Sequence, residues 1–186
     1  MLGAIGPDSG GLPAAATALE GGTVPATATP AYRSRLRHLA VAGYPYFVTT
    51  NVAGRARIFD LPANAELLRS VIYWCREQGR FLLLAFAIMP DHLHIVLAPQ
   101  RPYTVSCCMH AIKGYSSYKI NRATDRRGQL WQENFFDYAL DSDEKVRTRV
   151  NYIHENPVRA GLVSEAAAYP FSSAHPENPS DVTLFL

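Results

Sequence analysis

The chain has 186 residues, of which 48% are hydrophobic and 18% are charged, and this predicts one globular domain with a sizeable core. Its cysteines, Cys75, Cys107 and Cys108, form no C-x-x-C pair, which disfavours a disulfide-rich secreted fold and a cysteine-built zinc site. The longest apolar run, residues 81–89, is far shorter than the roughly 20 residues that span a membrane. No positively charged start precedes an apolar segment, so we expect a cytoplasmic protein without a membrane partner.

The formal net charge is only +2, but the charged residues are unevenly distributed. Residues 1–32 contain two of the acidic side chains, Asp8 and Glu20, and none of the 18 basic ones. Clusters of basic residues, several of them near tyrosines, are compatible with a nucleic-acid partner. Charge alone favours the alternative of a solvated surface with mixed charge. The clusters are Arg33, Arg35 and Arg37; Arg55 and Arg57; and Lys113, Lys119, Arg122, Arg126 and Arg127.

Residues 1–31 are rich in Gly, Ala, Thr and Pro and contain no aromatic residue. We expect them to be a disordered leader or the product of a start codon assigned too early. The domain is then expected over residues 32–175, followed by a tail over 176–186. Aromatic and β-branched residues predict a strand over 46–52. Apolar residues at helical spacing predict a helix over 64–78.

Two apolar segments, 81–89 and 92–98, flank a Pro-Asp turn and predict a β-hairpin at the centre of a sheet. The last predicted helix has an acidic first turn and ends near Glu155, because Pro157 disfavours helical angles at the residue before it. The other predicted elements are a helix over 105–121, a basic loop over 122–129, a strand within 130–140, a helix over 141–155 and irregular structure from residue 169.

The first candidate site is the segment Met89-Pro90-Asp91-His92-Leu93-His94. Residues two apart in a strand point to the same face, so His92 and His94 are able to reach one metal ion while Leu93 faces the core. The alternative is a pair of half-buried histidines that hydrogen-bond to the backbone. The turn and the apolar strands around the pair leave both interpretations open.

The second candidate site is the helical segment that contains Tyr152. At about 100° per residue, Tyr152 lies on the flank of the apolar face, on one line with Lys145, Arg149 and Asn156. A tyrosine beside two cations can meet a phosphate and be stabilised as phenolate. The alternative is a surface tyrosine packed over an arginine. Trp131, after the basic loop, is a candidate for stacking on a base, with core packing as the alternative.

Together these motifs resemble the single-tyrosine HUH transposases of the IS200/IS605 type, and more closely their REP-associated branch. The matching segments, in family order, are residues 46–50, 87–97, 130–132, 152–162 and 169–174. The resemblance implies a single α+β domain of ferredoxin-like fold, with a central antiparallel sheet and helices packed on it.

The resemblance also implies that Tyr152 is the catalytic nucleophile, and that His92, His94 and Asn156 hold a divalent metal, Mg²⁺ or Mn²⁺. The implied reaction is the cleavage and rejoining of single-stranded DNA at hairpin-forming repeats, through a 5′-phosphotyrosine, by a monomer or homodimer. The candidate DNA-binding residues are Lys145, Arg149, Arg122, Arg126, Arg127 and Trp131. Three alternatives stay open: a metal-dependent phosphodiesterase that uses water, a catalytically inactive nucleic-acid-binding module, and an α+β scaffold without a site.

Overall fold

The structure is a computed structural model and describes residues 44–186. The leader expected over 1–31 and the domain start expected at residue 32 lie outside the described residues. The elements in chain order are β1 (Tyr46–Asn51), α1 (Pro62–Glu77), β2 (Phe81–Met89), β3 (His92–Pro99), α2 (Val105–Ala123), β4 (Phe136–Ala139) and α3 (Asp143–Arg159). No helix within residues 44–186 is both long and apolar enough to cross a membrane.

The four strands form one antiparallel sheet in the order β2-β3-β1-β4, so β3 and β1 are the inner strands. Side chains alternate between the two faces of a strand, and both faces of β3 are buried. Leu93 and Ile95 belong to the core that α1 and α2 cover. Val96 and Ala98 belong to the core that α3 covers. The predicted α+β fold with a central antiparallel sheet is confirmed.

The prediction that the whole hairpin lies at the centre of the sheet is wrong for β2, which is an edge strand. Its outer edge is covered by the chain that follows α3. Ile88 donates its backbone N–H to the Phe171 carbonyl at 2.9 Å, and Asp181 donates its own to the Leu83 carbonyl at 2.7 Å. When irregular chain covers an edge strand, that strand is as buried as an inner one. The apolar run of β2 therefore could not show whether the strand lies at the edge or in the interior of the sheet.

Helix α3 does not end near Glu155 as predicted, but continues through Pro157 to Arg159. Pro157 lacks an N–H, so the helix loses one backbone hydrogen bond there. The proline ring is buried in the structure. A Schellman motif follows, in which Gly161, at φ +68°, donates to the Val158 carbonyl and Leu162 donates to the Pro157 carbonyl, each at 2.9 Å. Buried packing and this C-terminal cap therefore move the end of the helix beyond the proline.

Candidate active site

The two histidines of the first candidate site lie on the inner strand β3. In the strand register, His94 is opposite Thr49 of β1 and Ala87 of β2. The Nε2 atoms of His92 and His94 are 3.1 Å apart. Because both neighbouring strands hydrogen-bond to β3, the two ring nitrogens are held close together on a rigid support.

His94 is buried, with only 6% of its surface exposed. Burial, together with the nearby His92 and Arg55, lowers the pKa of His94 to about 3. The imidazole therefore stays neutral near pH 7, and a neutral imidazole nitrogen is the form that binds a metal ion.

Each histidine uses its Nδ1 atom for a hydrogen bond to a neighbouring side chain. Nδ1 of His92 lies 2.6 Å from Oδ1 of Asp91, and Nδ1 of His94 lies 2.7 Å from Oγ1 of Thr49. Burial opposes the ionisation of Asp91, but the hydrogen bond from His92 and the charge of Arg55 hold the pKa of this carboxyl below its ordinary value. An ionised Asp91 accepts the Nδ1 proton of His92 and so leaves the Nε2 lone pair for a ligand.

Tyr152 lies on α3, and its ring packs beside the histidine site. The ring centroids of Tyr152 and His94 are 5.6 Å apart, and Phe47 of β1 lies 5.9 Å from Tyr152. The guanidinium groups of Arg149 and Arg159 are each 5.5 Å from the centroid of the Tyr152 ring. The two candidate sites are thus adjacent in the fold.

The other residues on the Tyr152 line of α3 have different surroundings. Arg149 also lies 5.4 Å from the ring centroid of Tyr138, whereas the exposed Lys145 pairs with Asp141 at 2.7 Å. Asn156 donates its Nδ2 to the Tyr152 carbonyl at 2.8 Å. Its amide oxygen is the atom through which Asn156 would bind a metal.

The candidate DNA-binding residues outside α3 are positioned by α2 and the loop after it, on the opposite face of the sheet from Tyr152. Arg122 donates to the Tyr118 hydroxyl at 3.1 Å, and Arg126 donates to the Gln129 carbonyl at 3.2 Å. Arg127 follows in the same exposed loop. Trp131 is only 2% exposed.

The burial of Trp131 contradicts the prediction that it stacks on a base. Its ring packs 5.4 Å from that of Phe59, and its Nε1 donates to Ser116 at 3.0 Å. A base cannot stack on this ring without opening the core. Core packing, the alternative interpretation, describes the residue correctly.

The strand predicted within 130–140 is limited to β4, and Trp131 forms only an isolated bridge with Val52.

Sequence reasoning missed a polar cluster that extends the histidine site. Arg55 lies 3.4 Å from Asp91 and donates to Oδ1 of Asn51 at 2.8 Å. Asn51 donates to Oε1 of Gln132 at 3.2 Å. The position of Asp91 directly before His92 was a usable signal. The role of Asn51 depends on the register between β1 and β3, which no local pattern specifies.

The donor atoms at this site fit a divalent metal ion. His92 and His94 offer two Nε2 atoms that face each other, and their Nδ1 atoms already have partners. Within residues 44–186 there is no group of three or more His, Cys, Asp or Glu side chains that could hold a metal. A site here would therefore need a different third ligand, and an amide oxygen such as that of Asn156 suits Mg²⁺ or Mn²⁺.

A family model described as "Transposase IS200 like" matches residues 41–156, and the chain belongs to this family. The chain is 27% identical over 143 residues to the REP-associated tyrosine transposase of Escherichia coli (strain K12), a match that covers 76% of this chain and 83% of that protein. It also resembles a solved structure of a REP-associated tyrosine transposase bound to a REP hairpin. That match has a TM-score of 0.61 and 24% identity, and covers 76% of this chain and 88% of the other. The predicted relationship to REP-associated tyrosine transposases is confirmed.

Proposed function

We propose that this protein cleaves and rejoins single-stranded DNA at hairpin-forming repeats, with Tyr152 as the nucleophile. The observation that supports the proposal most strongly is the contact between the Tyr152 and His94 rings, 5.6 Å apart, beside the paired Nε2 atoms of His92 and His94. The family supports DNA strand transfer, and the hairpin bound to the related transposase supports hairpin DNA as the substrate. We further propose that the protein acts in the cytoplasm as a monomer or homodimer.

In the proposed reaction, the Tyr152 oxygen attacks the scissile phosphorus in line and loses its proton to solvent. A bond forms between Tyr152 and phosphorus, the bond from phosphorus to the 3′-oxygen breaks, and the leaving oxygen takes up a proton. The products are a 5′-phosphotyrosine and a free 3′-hydroxyl. Because the phosphodiester energy is kept in the covalent bond, a second 3′-hydroxyl can reverse the step and join a new strand.

His92, His94 and Asn156 would hold the divalent metal, which as a Lewis acid would stabilise the negative charge at the phosphate. The hydrogen bond between Asp91 and Nδ1 of His92 fixes the orientation of the imidazole ring, so that Nε2 of His92 already points towards the proposed metal position. The guanidinium groups of Arg149 and Arg159, each 5.5 Å from the centroid of the Tyr152 ring, would offset the charge of the phosphate.

The nucleophile is tested with Tyr152→Phe, which removes one oxygen and keeps the ring contacts with His94 and Phe47. We expect the covalent protein–DNA adduct to disappear from a denaturing gel, while binding of a single-stranded repeat oligonucleotide stays within a few-fold of wild type. Tyr138→Phe is a matched control, because Tyr138 also contacts Arg149 and its buried hydroxyl has no hydrogen-bond partner within the described residues.

An adduct that persists in Tyr152→Phe would assign the nucleophile to another residue. Metal-dependent cleavage by the wild type without any adduct would select the water-using phosphodiesterase instead. DNA binding with neither cleavage nor adduct would select an inactive binding module.

A further inference from the structure

A cleft of about 990 Å³ follows α2, on the face of the sheet opposite Tyr152. Its walls carry the rings of Tyr103, Tyr115 and Tyr118 and the cationic side chains of Arg80 and Lys119. None of the described residues that line it is acidic, and the sequence has no Asp or Glu over residues 92–124. The cleft therefore combines aromatic surface with positive charge.

Two of the three tyrosine rings of this cleft are exposed, and Tyr103 is half-buried. Tyr115 is 44% exposed and Tyr118 is 63% exposed. Tyr115 and Trp74 form a T-shaped ring contact with centroids 4.7 Å apart, and the Arg80 guanidinium lies 5.7 Å from the centroid of the Trp74 ring. The Tyr118 hydroxyl accepts a hydrogen bond from Arg122 at 3.1 Å. Flat rings beside cations are the surface on which unpaired bases stack.

A glycine in the middle of α2 leaves the backbone bare where the helix lines the cleft. Gly114 lines the cleft, and a Cβ built there would meet nothing within 4 Å. Glycine weakens a helix interior, and here no packing contact within residues 44–186 requires it. What Gly114 provides is bare backbone on the floor of the cleft.

The cleft continues towards the candidate active site. Gly114 and His110 also line a second cleft, which reaches Gln132 and includes Lys113 and the acidic Glu133. Gln132 accepts a hydrogen bond from Asn51 at 3.2 Å, within the polar cluster that ends at Asp91 and His92. The second cleft therefore links the α2 cleft to Gln132, which belongs to that polar cluster.

We propose that the α2 cleft binds an unpaired segment of the DNA substrate, with bases stacked on Tyr115 and Tyr118 and phosphates near Arg80 and Lys119. A duplex keeps its base faces stacked inside and presents phosphates and groove edges, so open tyrosine rings favour unpaired bases. The inference rests on the proposed function for the identity of the nucleic acid, and it adds a second surface that Tyr152 and the histidines do not form.

The test measures binding of an unstructured thymidine 20-mer by fluorescence anisotropy, with a chelator present so that metal-dependent cleavage is suppressed. Tyr118→Ala removes the ring on which one base stacks, so this variant should bind the 20-mer about 5- to 150-fold more weakly than wild type. Tyr118→Phe keeps the ring and should bind like wild type. Lys119→Gln should lower the slope of log affinity against log salt by about 0.7. Tyr44→Ala is the matched control, since Tyr44 is 45% exposed and lies outside the cleft.

Equal affinities for Tyr118→Ala and Tyr44→Ala would overturn the proposal. The proposal would also be overturned if Tyr118→Ala lost more affinity for a blunt hairpin without a single-stranded flank than for the 20-mer, because the cleft would then bind duplex. Adduct formation is measured separately, on the wild-type protein at saturating DNA. If wild type forms no adduct while the 20-mer data hold, the role of Tyr152 fails and the cleft stands.

Discussion

Replacing Arg149 by glutamine tests whether its guanidinium serves the reaction or only packs. The group lies 5.4 Å from the ring centroids of Phe47 and Tyr138 and 5.5 Å from that of Tyr152. A cation over an aromatic ring contributes about 0.5–1 kcal/mol at exposed sites, and contacts that share one cation do not add fully. We therefore expect Arg149→Gln to lower the free energy of unfolding by about 1–2 kcal/mol.

The effect on function should be larger than the effect on stability. Arg149 is one helical turn before Tyr152, so we expect it to contact the phosphate at the scissile bond. Loss of that contact should lower the slope of log affinity against log salt by about 0.7 on single-stranded DNA. Loss of transition-state charge stabilisation should reduce the single-turnover cleavage rate by about 10²–10³. Arg149→Lys keeps the charge but loses the planar stacking, so it should retain the salt slope.

Lys145→Gln is the matched control for these measurements. The Lys145 ammonium group forms an exposed ion pair with Asp141, two turns from Tyr152. We therefore expect Lys145→Gln to alter the salt slope but to leave the cleavage rate unchanged. If Arg149→Gln loses stability but keeps both the wild-type salt slope and the wild-type rate, its guanidinium only packs and the phosphate contact is wrong.

Three further predictions concern the metal, the C-terminal segment and the glycine of α2. His94→Ala should abolish metal-dependent cleavage and Asn156→Ala should weaken it less; cleavage unchanged by a chelator would end the metal proposal. Asp181→Ala should lower the free energy of unfolding by about 2–4 kcal/mol at pH 7, since Asp181 accepts hydrogen bonds from Arg76 and a backbone N–H. Burial opposes the ionisation of Asp181, but the hydrogen bond from Arg76 holds the pKa of this carboxyl below its ordinary value. The stabilisation by Asp181 is therefore present at pH values above the ordinary carboxyl pKa. This stabilisation is lost as pH falls through the folded-state pKa of Asp181. If denaturant titrations gave the same difference in the free energy of unfolding between Asp181→Ala and wild type at pH 7 and at pH 3, the prediction would be contradicted. Gly114→Ala should raise the free energy of unfolding by about 0.8–1 kcal/mol, and a destabilised variant would show that the glycine has a packing role.

The sequence predicts the elements well where one local pattern dominates. The predicted bounds 81–89 and the start of β3 at His92 agree with the structure, because continuous apolar runs are separated there by a Pro-Asp turn. The edge position of β2 could not be predicted, since it depends on partners that are distant in sequence. The end of α3 was missed because the burial of Pro157 is a tertiary property.

The candidate site shows the same division between local and distant information. Alternation along β3 was enough to predict that His92 and His94 share a face, and helical geometry was enough to align Arg149 with Tyr152. That Tyr152 and His94 meet depends on α3 packing across the sheet. The hydrogen bond between Thr49 and His94 depends on strand register, so only the folded chain reveals it.

The covered edge of β2 has a consequence for how the chain is made. Ser173, which bonds to Phe86 of β2, follows it by 87 residues. A ribosome that synthesises the chain in order therefore completes this nine-residue apolar strand long before the segment that covers it exists. Until then its open edge is a template on which other chains can pair. Stalled synthesis or a nonsense mutation between the two segments should therefore yield a fragment that aggregates rather than a smaller working protein.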